Sequence, residues 1–269
     1  MRRFLFLACL CAVCIADDNT SLTIVGSQRV LLPNEKFRSQ NDQQRILTRK
    51  DQLLRLHVGG VGTSIRRLMT PVRNQGARGT CSVFAAVSLV EAFTGEHYSE
   101  QCLASMSGPR DAGRVEDRLE YVRRNGLYYD RDCPYDLTQR DNIPDVRHAP
   151  MKQFTSEFEV YPFTEDDPIA YIKSRLAVSS PVAVEFYVVG RRQWSDGPFF
   201  YVPDAQTTAL ECGFLQSCAG HAVVVTGLND MLGLIEFKNS WGTAWGKDGY
   251  GYLSYDYFLT FGKGVLVSY

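Results

Sequence analysis

The sequence predicts an α+β fold, because helical patterns dominate its first half and strand patterns its second. A buried helix is predicted over residues 81–93, where nearly every side chain is apolar or small, and Gly95 ends it. A second helix is predicted over residues 114–125, where three apolar residues share one face and Gly126 follows. This segregation favours two lobes with a site in the cleft between them.

The second half begins with a third predicted helix. Pro168 is its first residue, and Ser179-Ser180-Pro181 ends it. Apolar residues then alternate from Val182 to Val188, which predicts a strand with one buried face. Three further strands are predicted over residues 222–228, 233–238 and 250–254.

Composition narrows the functional classes. The chain has 269 residues, of which 45% are hydrophobic, so it can bury a sizeable core in one or two domains. Its 29 Lys and Arg nearly balance its 30 Asp and Glu, which argues against a nucleic-acid partner. The four histidines form no H-E-x-x-H pair, and no G-x-S-x-G motif is present. We therefore expect neither a metal nor another cofactor, and neither a metalloprotease nor a serine hydrolase.

The N-terminus predicts secretion. Met1-Arg2-Arg3 is basic, an apolar run of 13 residues ends at Ala16, and polar residues follow. This pattern is typical of a signal peptide over residues 1–16, since a membrane span needs about 20 residues. We expect a secreted, periplasmic or lysosome-like lumenal protein without a membrane partner after signal removal. Residues 17–56 are polar and are predicted to be a pro-region or an N-terminal extension.

Cysteine usage follows from that prediction. Three of the eight cysteines lie within residues 1–16. The five that remain are Cys81, Cys102, Cys133, Cys212 and Cys218. An odd number in an oxidising compartment leaves one thiol unpaired, and Cys81 is our candidate. The other four can form two disulfides, for which we favour Cys102 with Cys133 and Cys212 with Cys218, although the sequence does not fix the pairing.

Four residues spaced along the chain predict a site for nucleophilic catalysis. Cys81 opens the first helix, where unpaired backbone N–H groups favour a thiolate. His221, 140 residues later, would pair with that thiolate and donate a proton to a leaving amine. Asn239 would orient the imidazole ring. Gln75, together with the backbone N–H of Cys81, would donate hydrogen bonds to an oxyanion.

The segments around these residues resemble the papain family of cysteine peptidases. The segments are Pro71–Gly76, Gly79-Thr80-Cys81, Gly220–Val223 and, the most specific of them, Lys238–Tyr252. The resemblance covers residues 57–269 and implies hydrolysis of protein or peptide substrates through an acyl-enzyme. It implies a helical lobe over about 57–165 and an antiparallel β-barrel-like lobe over about 166–269. It also implies that Trp241 shields the bond between His221 and Asn239.

The chain departs from the family pattern near the predicted nucleophile. Ser82 stands where the family usually has tryptophan, which is expected to widen the cleft. Arg78 stands where the family has a disulfide cysteine. It either lowers the pKa of Cys81 or is a solvated surface arginine. The groove-lining Cys-Asn-Gly-Gly stretch is reduced to Asp111-Ala112-Gly113, and Gly220 replaces an acidic or amide residue. Gly113, Gly220 and Trp241 are the candidate substrate-binding residues.

Three functions are compatible with these residues. The leading prediction is a secreted, monomeric cysteine endopeptidase. The same Cys–His–Asn set could instead transfer acyl groups to an amine, as a transglutaminase does. The third possibility is a catalytically silent papain-like domain that binds a peptide or another partner.

Overall fold

The computed structural model describes most of the chain from Gly62 onward. The described residues are 62–108, 111–138, 143–154, 157–163 and 167–268. The predicted signal peptide (1–16), the predicted pro-region or extension (17–56) and residues 57–61 lie outside them.

Seven α-helices lie in the described residues, four of them before the first long strand, Val182–Val188. They are α1 (Cys81–Thr94), α2 (Glu100–Met106), α3 (Val115–Asn125), α4 (Pro168–Ala177), α5 (Arg191–Asp196), α6 (Ala205–Thr208, continued by a π-helical turn, Ala209–Phe214) and α7 (Tyr255–Phe261). The predicted α1, α3 and α4 are confirmed within a residue or two. The helices that prediction missed are too short to show a helical period. Every helix in the described part of the chain is too short or too polar to span a lipid bilayer.

Ten strands accompany these helices. They are β1 (Thr63–Ser64), β2 (Leu127–Tyr128), β3 (Met151–Lys152), β4 (Glu159–Pro162), β5 (Val182–Val188), β6 (Phe199–Phe200), β7 (Ala219–Asn229), β8 (Leu234–Lys238), β9 (Tyr250–Ser254) and β10 (Gly262–Ser268). The four predicted strands correspond to β5, β7, β8 and β9. The mixture of helices and an antiparallel-rich sheet confirms the α+β class.

One sheet organises the second half of the chain. Its strands follow the order β4-β10-β5-β7-β8-β9-β6, and β1 pairs with β7 off this path. All of these pairs are antiparallel except that of β6 with β9. Among the described residues the path ends at β4 and β6 without closing. The antiparallel β-rich lobe implied by the family resemblance is therefore present in the described residues as an open sheet and not as a closed barrel.

Strand β5 corrects a second prediction. Six of its seven residues are buried, so both of its faces are covered. Val184 and Phe186 pack into a core with α4 and α7, whereas Ala183 packs into a second core with α1. The alternation in the sequence predicted one buried face, but α1 lies against the other.

Helix α1 is buried along most of its length. Every residue from Cys81 to Glu91 is buried. The helix packs against β7 at its back and against α2 and α3 at its sides. Gly95 ends it in the left-handed conformation, with φ of 69°, which glycine adopts without steric cost. A helix enclosed in this way holds its first residue, Cys81, in a defined position.

Two disulfides join segments within the described residues. Cys102 in α2 bonds to Cys133, and Cys212 bonds to Cys218 just before β7. Both pairings agree with the favoured prediction. They close loops of different length, with sequence separations of 31 and 6.

We expect the two disulfides to differ in their contribution to stability. By loop-closure entropy, replacing Cys102 and Cys133 with alanine should lower the free energy of unfolding by about 3 to 4 kcal/mol. Replacing Cys212 and Cys218 should lower it by about 2 kcal/mol, because that loop is shorter. Urea unfolding of both double variants checks this, and equal losses would contradict it.

Candidate functional site

The sheet brings His221 and Asn239 together. His221 lies in β7, and Asn239 directly follows β8, the strand that pairs with β7. The Nε2 atom of His221 lies 2.8 Å from Oδ1 of Asn239. The same Oδ1 accepts the backbone N–H of Ser240 at 2.8 Å, which identifies it as the amide oxygen. His221 Nε2 is therefore the protonated nitrogen, and Nδ1 is the basic nitrogen of the neutral ring.

Aromatic rings surround the histidine. The Trp241 ring stacks on that of His221, with 4.7 Å between centroids, and Phe186 meets it edge-on at 6.0 Å. Burial lowers the pKa of His221 to about 4, and the hydrogen bond with Asn239 opposes this shift in part. Without an anion beside it, the ring is therefore neutral at physiological pH.

Cys81 is the first residue of α1 and is fully buried. It belongs to the same apolar cluster as Ala222, the neighbour of His221 in β7. Thr80, which precedes the helix, makes no side-chain cap. Its hydroxyl lies instead 2.7 Å from that of Tyr135. The Thr80 side chain thus leaves the N-terminal N–H groups of α1 uncapped, and uncapped N–H groups favour an anion at this end of the helix.

The state of the Cys81 sulfur differs from the prediction. It is disulfide-bonded in the structure rather than unpaired. The prediction assumed that the three cysteines of residues 1–16 had been removed, whereas the full chain has an even number, eight. A nucleophilic Cys81 therefore requires the reduced form.

Gln75 is fully buried and is held at both ends of its amide. Its Oε1 accepts the Ser240 hydroxyl at 2.5 Å, and its Nε2 donates to the backbone oxygen of Arg78 at 2.7 Å. Its backbone N–H donates to the Ser240 carbonyl at 2.8 Å. The segment before α1 is thereby attached to the segment that carries Asn239.

Sequence reasoning missed two residues of this arrangement. Ser240 fixes Gln75 and was noted only as part of a motif. Tyr135 donates its hydroxyl to the backbone oxygen of Gln75 at 3.0 Å. A tyrosine 60 residues away in sequence carries no local signal of this contact.

The departures from the family pattern have defined surroundings. Arg78 is buried and forms a bidentate ion pair with Asp111, so the interpretation as a solvated surface arginine is wrong. Ser82 is fully buried. Gly113 lies just before α3, and Gly220 lies in β7 opposite Tyr187. Nothing in the described residues tests these two glycines as substrate-binding positions.

A buried ionic cluster lies behind the site. Arg73 forms ion pairs with Glu91 of α1 and with Glu100 of α2, the latter at 2.8 Å. Lys238, at the end of β8, donates to the hydroxyls of Thr70 and Ser88 at 3.2 Å each. Burial lowers the pKa of Lys238 to about 8, and Glu91 opposes that shift. The cluster therefore joins Arg73, which lies near Gln75 in sequence, and Lys238, which precedes Asn239, to helix α1.

Throughout the described ranges, no group of three or more His, Cys, Asp or Glu residues is placed to hold a metal ion.

Sequence comparison relates the chain to known peptidases. A family model described as papain family cysteine protease matches residues 63–260. Papain from Carica papaya is 31% identical over 192 residues, which cover 68% of this chain and 50% of papain. Cathepsin L 2 from Paramecium tetraurelia is 30% identical, covering 66% of this chain and 54% of that protein. The chain thus spans about half the length of these curated relatives.

Structural comparison gives the same result. The crystal structure of a Carica candamarcensis cysteine protease in complex with E-64 has a TM-score of 0.58 and 28% identity, covering 78% of this chain and 97% of that one. Xylellain, a cysteine protease from Xylella fastidiosa, has a TM-score of 0.57 at 19% identity, covering 78% and 85%. The likeness to xylellain shows the fold alone.

The ionic cluster should be essential to the stability of this region. Glu91→Ala removes a fully buried carboxylate from the half-buried Arg73, and we expect a loss of about 2 to 3 kcal/mol in the free energy of unfolding. Glu120→Ala, which removes an exposed partner of Arg123 and Arg124, is the control and should change stability little. Urea unfolding measures both, and similar small losses would contradict a structural role for the cluster.

Proposed function

Since the chain belongs to the papain family of cysteine proteases, we propose that it is a secreted endopeptidase that hydrolyses peptide bonds through an acyl-enzyme. The observation that carries the proposal is the bond from His221 Nε2 to Asn239 Oδ1. It leaves Nδ1 as the ring nitrogen able to exchange a proton with Cys81 at the start of α1. In this proposal Cys81 is the nucleophile and His221 is the acid and base.

The proposed reaction has two halves. The Cys81 thiolate attacks the scissile carbonyl carbon and forms a C–S bond, and the carbonyl oxygen becomes an oxyanion. The C–N bond then breaks as protonated His221 gives its proton to the leaving amine. In the second half His221 removes a proton from water, the resulting hydroxide attacks the thioester, and Cys81 leaves as the thiolate.

The oxyanion needs hydrogen-bond donors that are fixed in advance. Gln75 has two amide hydrogens, and the bond to the Arg78 carbonyl uses one of them. We propose that the second hydrogen and the backbone N–H of Cys81 bind the oxyanion. Trp241 covers the ring of His221, which supports its proposed role of keeping water from the bond to Asn239.

The proposal applies to the reduced, processed chain. Loss of residues 1–16 would remove three cysteines, and Cys81 must be a thiolate to react. We further propose that residues 17–56 precede the peptidase domain as a pro-region or extension. Protein or peptide chains are the proposed substrates of a monomeric enzyme.

Cys81→Ala should abolish hydrolysis of a fluorogenic peptide amide by the reduced protein, with a loss on the order of 10⁴-fold or more, and leave the fold intact. Iodoacetamide should label Cys81 in the parent protein, as located by mass spectrometry. Parent protein that labels slowly and cleaves nothing would support a silent binding domain. An amide product formed from an added amine would support the acyltransferase instead.

The charge of His221 should depend on Cys81. In the Cys81→Ala variant the ring has no anion beside it and should titrate near pH 4, since burial lowers its pKa. In the reduced parent protein the thiolate favours the protonated ring, so the pKa should be higher. NMR titration of the imidazole measures both values. Adding Asn239→Ala to the first variant should lower the pKa further, and equal pKa values in parent and Cys81→Ala would argue against the ion pair.

A further inference from the structure

Arg78 is bound on several sides although it lies only three residues before Cys81. Its Nε and Nη2 donate to the two carboxylate oxygens of Asp111, each at 3.0 Å. Its Nη1 donates to Oε1 of Gln101 at 2.6 Å and to the backbone oxygen of Asp136 at 2.8 Å. The residue is 7% exposed, so these contacts replace water around the guanidinium. A bidentate pair of this kind fixes orientation as well as distance.

The backbone of Arg78 has a separate role. Its carbonyl oxygen accepts the Nε2–H of Gln75 at 2.7 Å, which sets the rotation of the Gln75 amide. The position of this carbonyl depends on where the residue is held, and the side chain of Arg78 holds it. A movement of Arg78 would therefore turn the amide hydrogen that we propose points at the oxyanion.

Tyr135 supports the same loop from a second direction. Its ring lies below the Arg78 guanidinium, with 4.7 Å between the guanidinium carbon and the ring centroid. Its hydroxyl donates to the Gln75 carbonyl at 3.0 Å and lies 2.7 Å from the Thr80 hydroxyl. One tyrosine thus contacts the loop of residues 75–80 at its start, in its middle and at its end.

Asp111 is itself fixed. Arg118 of α3, which is 2% exposed, donates to the backbone oxygens of Asp111 and Ala112 at 3.3 and 2.5 Å. A Cβ at Gly113 would lie 2.6 Å from Nη2 of Arg118, so glycine at this position lets the Arg118 guanidinium lie close to the backbone. The carboxylate that binds Arg78 is therefore attached to the start of a helix.

From these contacts we propose that Arg78, through its ion pair with Asp111, is a positioning residue for the oxyanion-binding amide of Gln75. The inference depends on the proposed function. Because Asp111 neutralises the guanidinium charge, Arg78 acts by holding its carbonyl in place, not by lowering the pKa of Cys81. An ion pair thus fixes the loop at the point where, by the resemblance, relatives carry a disulfide cysteine.

The test compares two reactions of Cys81. Hydrolysis of a peptide amide forms an oxyanion, whereas alkylation by iodoacetamide does not. In Asp111→Asn and Arg78→Met we expect kcat to fall roughly 10- to 100-fold, no further than the loss from removing an oxyanion donor. KM should stay within about twofold of the parent. The pH profile of alkylation should be unchanged in the double variant Arg78→Met/Asp111→Asn, which removes both charges of the pair and so leaves the net charge near Cys81 as it was. Asp145→Asn, which breaks an exposed bidentate pair with Arg147, is the matched control and should change neither reaction.

A double-mutant cycle shows whether the effect passes through Gln75. Gln75→Ala removes the amide, so Asp111→Asn added to it should lower kcat little further, and the two losses should not multiply. Tyr135→Phe, which removes one hydroxyl, should lower kcat in the same direction and gives a second variant if Asp111→Asn folds poorly.

Three results would overturn the inference. They are unchanged kcat in Asp111→Asn, a full multiplicative loss when Asp111→Asn is added to Gln75→Ala, or a shifted alkylation pH profile in the charge-conserving Arg78→Met/Asp111→Asn variant, which would indicate an effect of the pair on the thiol pKa. These results are distinct from failure of the proposed function, because in that case the parent protein itself would not turn over the peptide amide.

Discussion

The charged cluster formed by the half-buried Arg73 and the buried Glu91, Glu100 and Lys238 is the constraint on which the rest of the site depends. Glu91 lies in α1, Arg73 lies two residues before Gln75, and Lys238 directly precedes Asn239. Taking these groups out of water costs free energy that their partners offset. Displacing any of these three segments would leave a charge unpaired in the interior. The cluster therefore holds in register three pieces of chain that lie far apart in sequence.

Apolar packing completes the arrangement that the charges begin. Helix α1 covers one face of β5 and β7, while α4 and α7 cover the other. The strand that carries His221 is thus enclosed on both sides, and its ring is covered by Trp241. Burial keeps an isolated imidazole neutral, so a protonated ring depends on an anion nearby. In the proposed mechanism the sulfur supplies that anion, and the two groups titrate as one unit.

Much of this was accessible from the sequence, and the reasons for the exceptions are physical. Long elements with a clear period, such as α1, α3 and β7, were predicted, and the four motifs predict Cys81, His221, Asn239 and Gln75 as site residues. Short helices were missed because they show no helical period. The second covered face of β5 was missed because it is covered by α1, which lies about 90 residues earlier in the chain, and a local sequence pattern does not show such a contact. Contacts such as Ser240 with Gln75 join residues 165 apart.

The two-ended attachment of the Gln75 amide has a consequence for where conformational entropy is lost. A glutamine side chain in solution samples many rotamers, and aligning it with a developing charge during each turnover would add to the barrier. Here Ser240 and the Arg78 carbonyl already restrict the amide to one orientation. In the proposed mechanism the ordering cost is therefore met once, when the polypeptide folds, and each catalytic cycle would begin with the dipole already aligned.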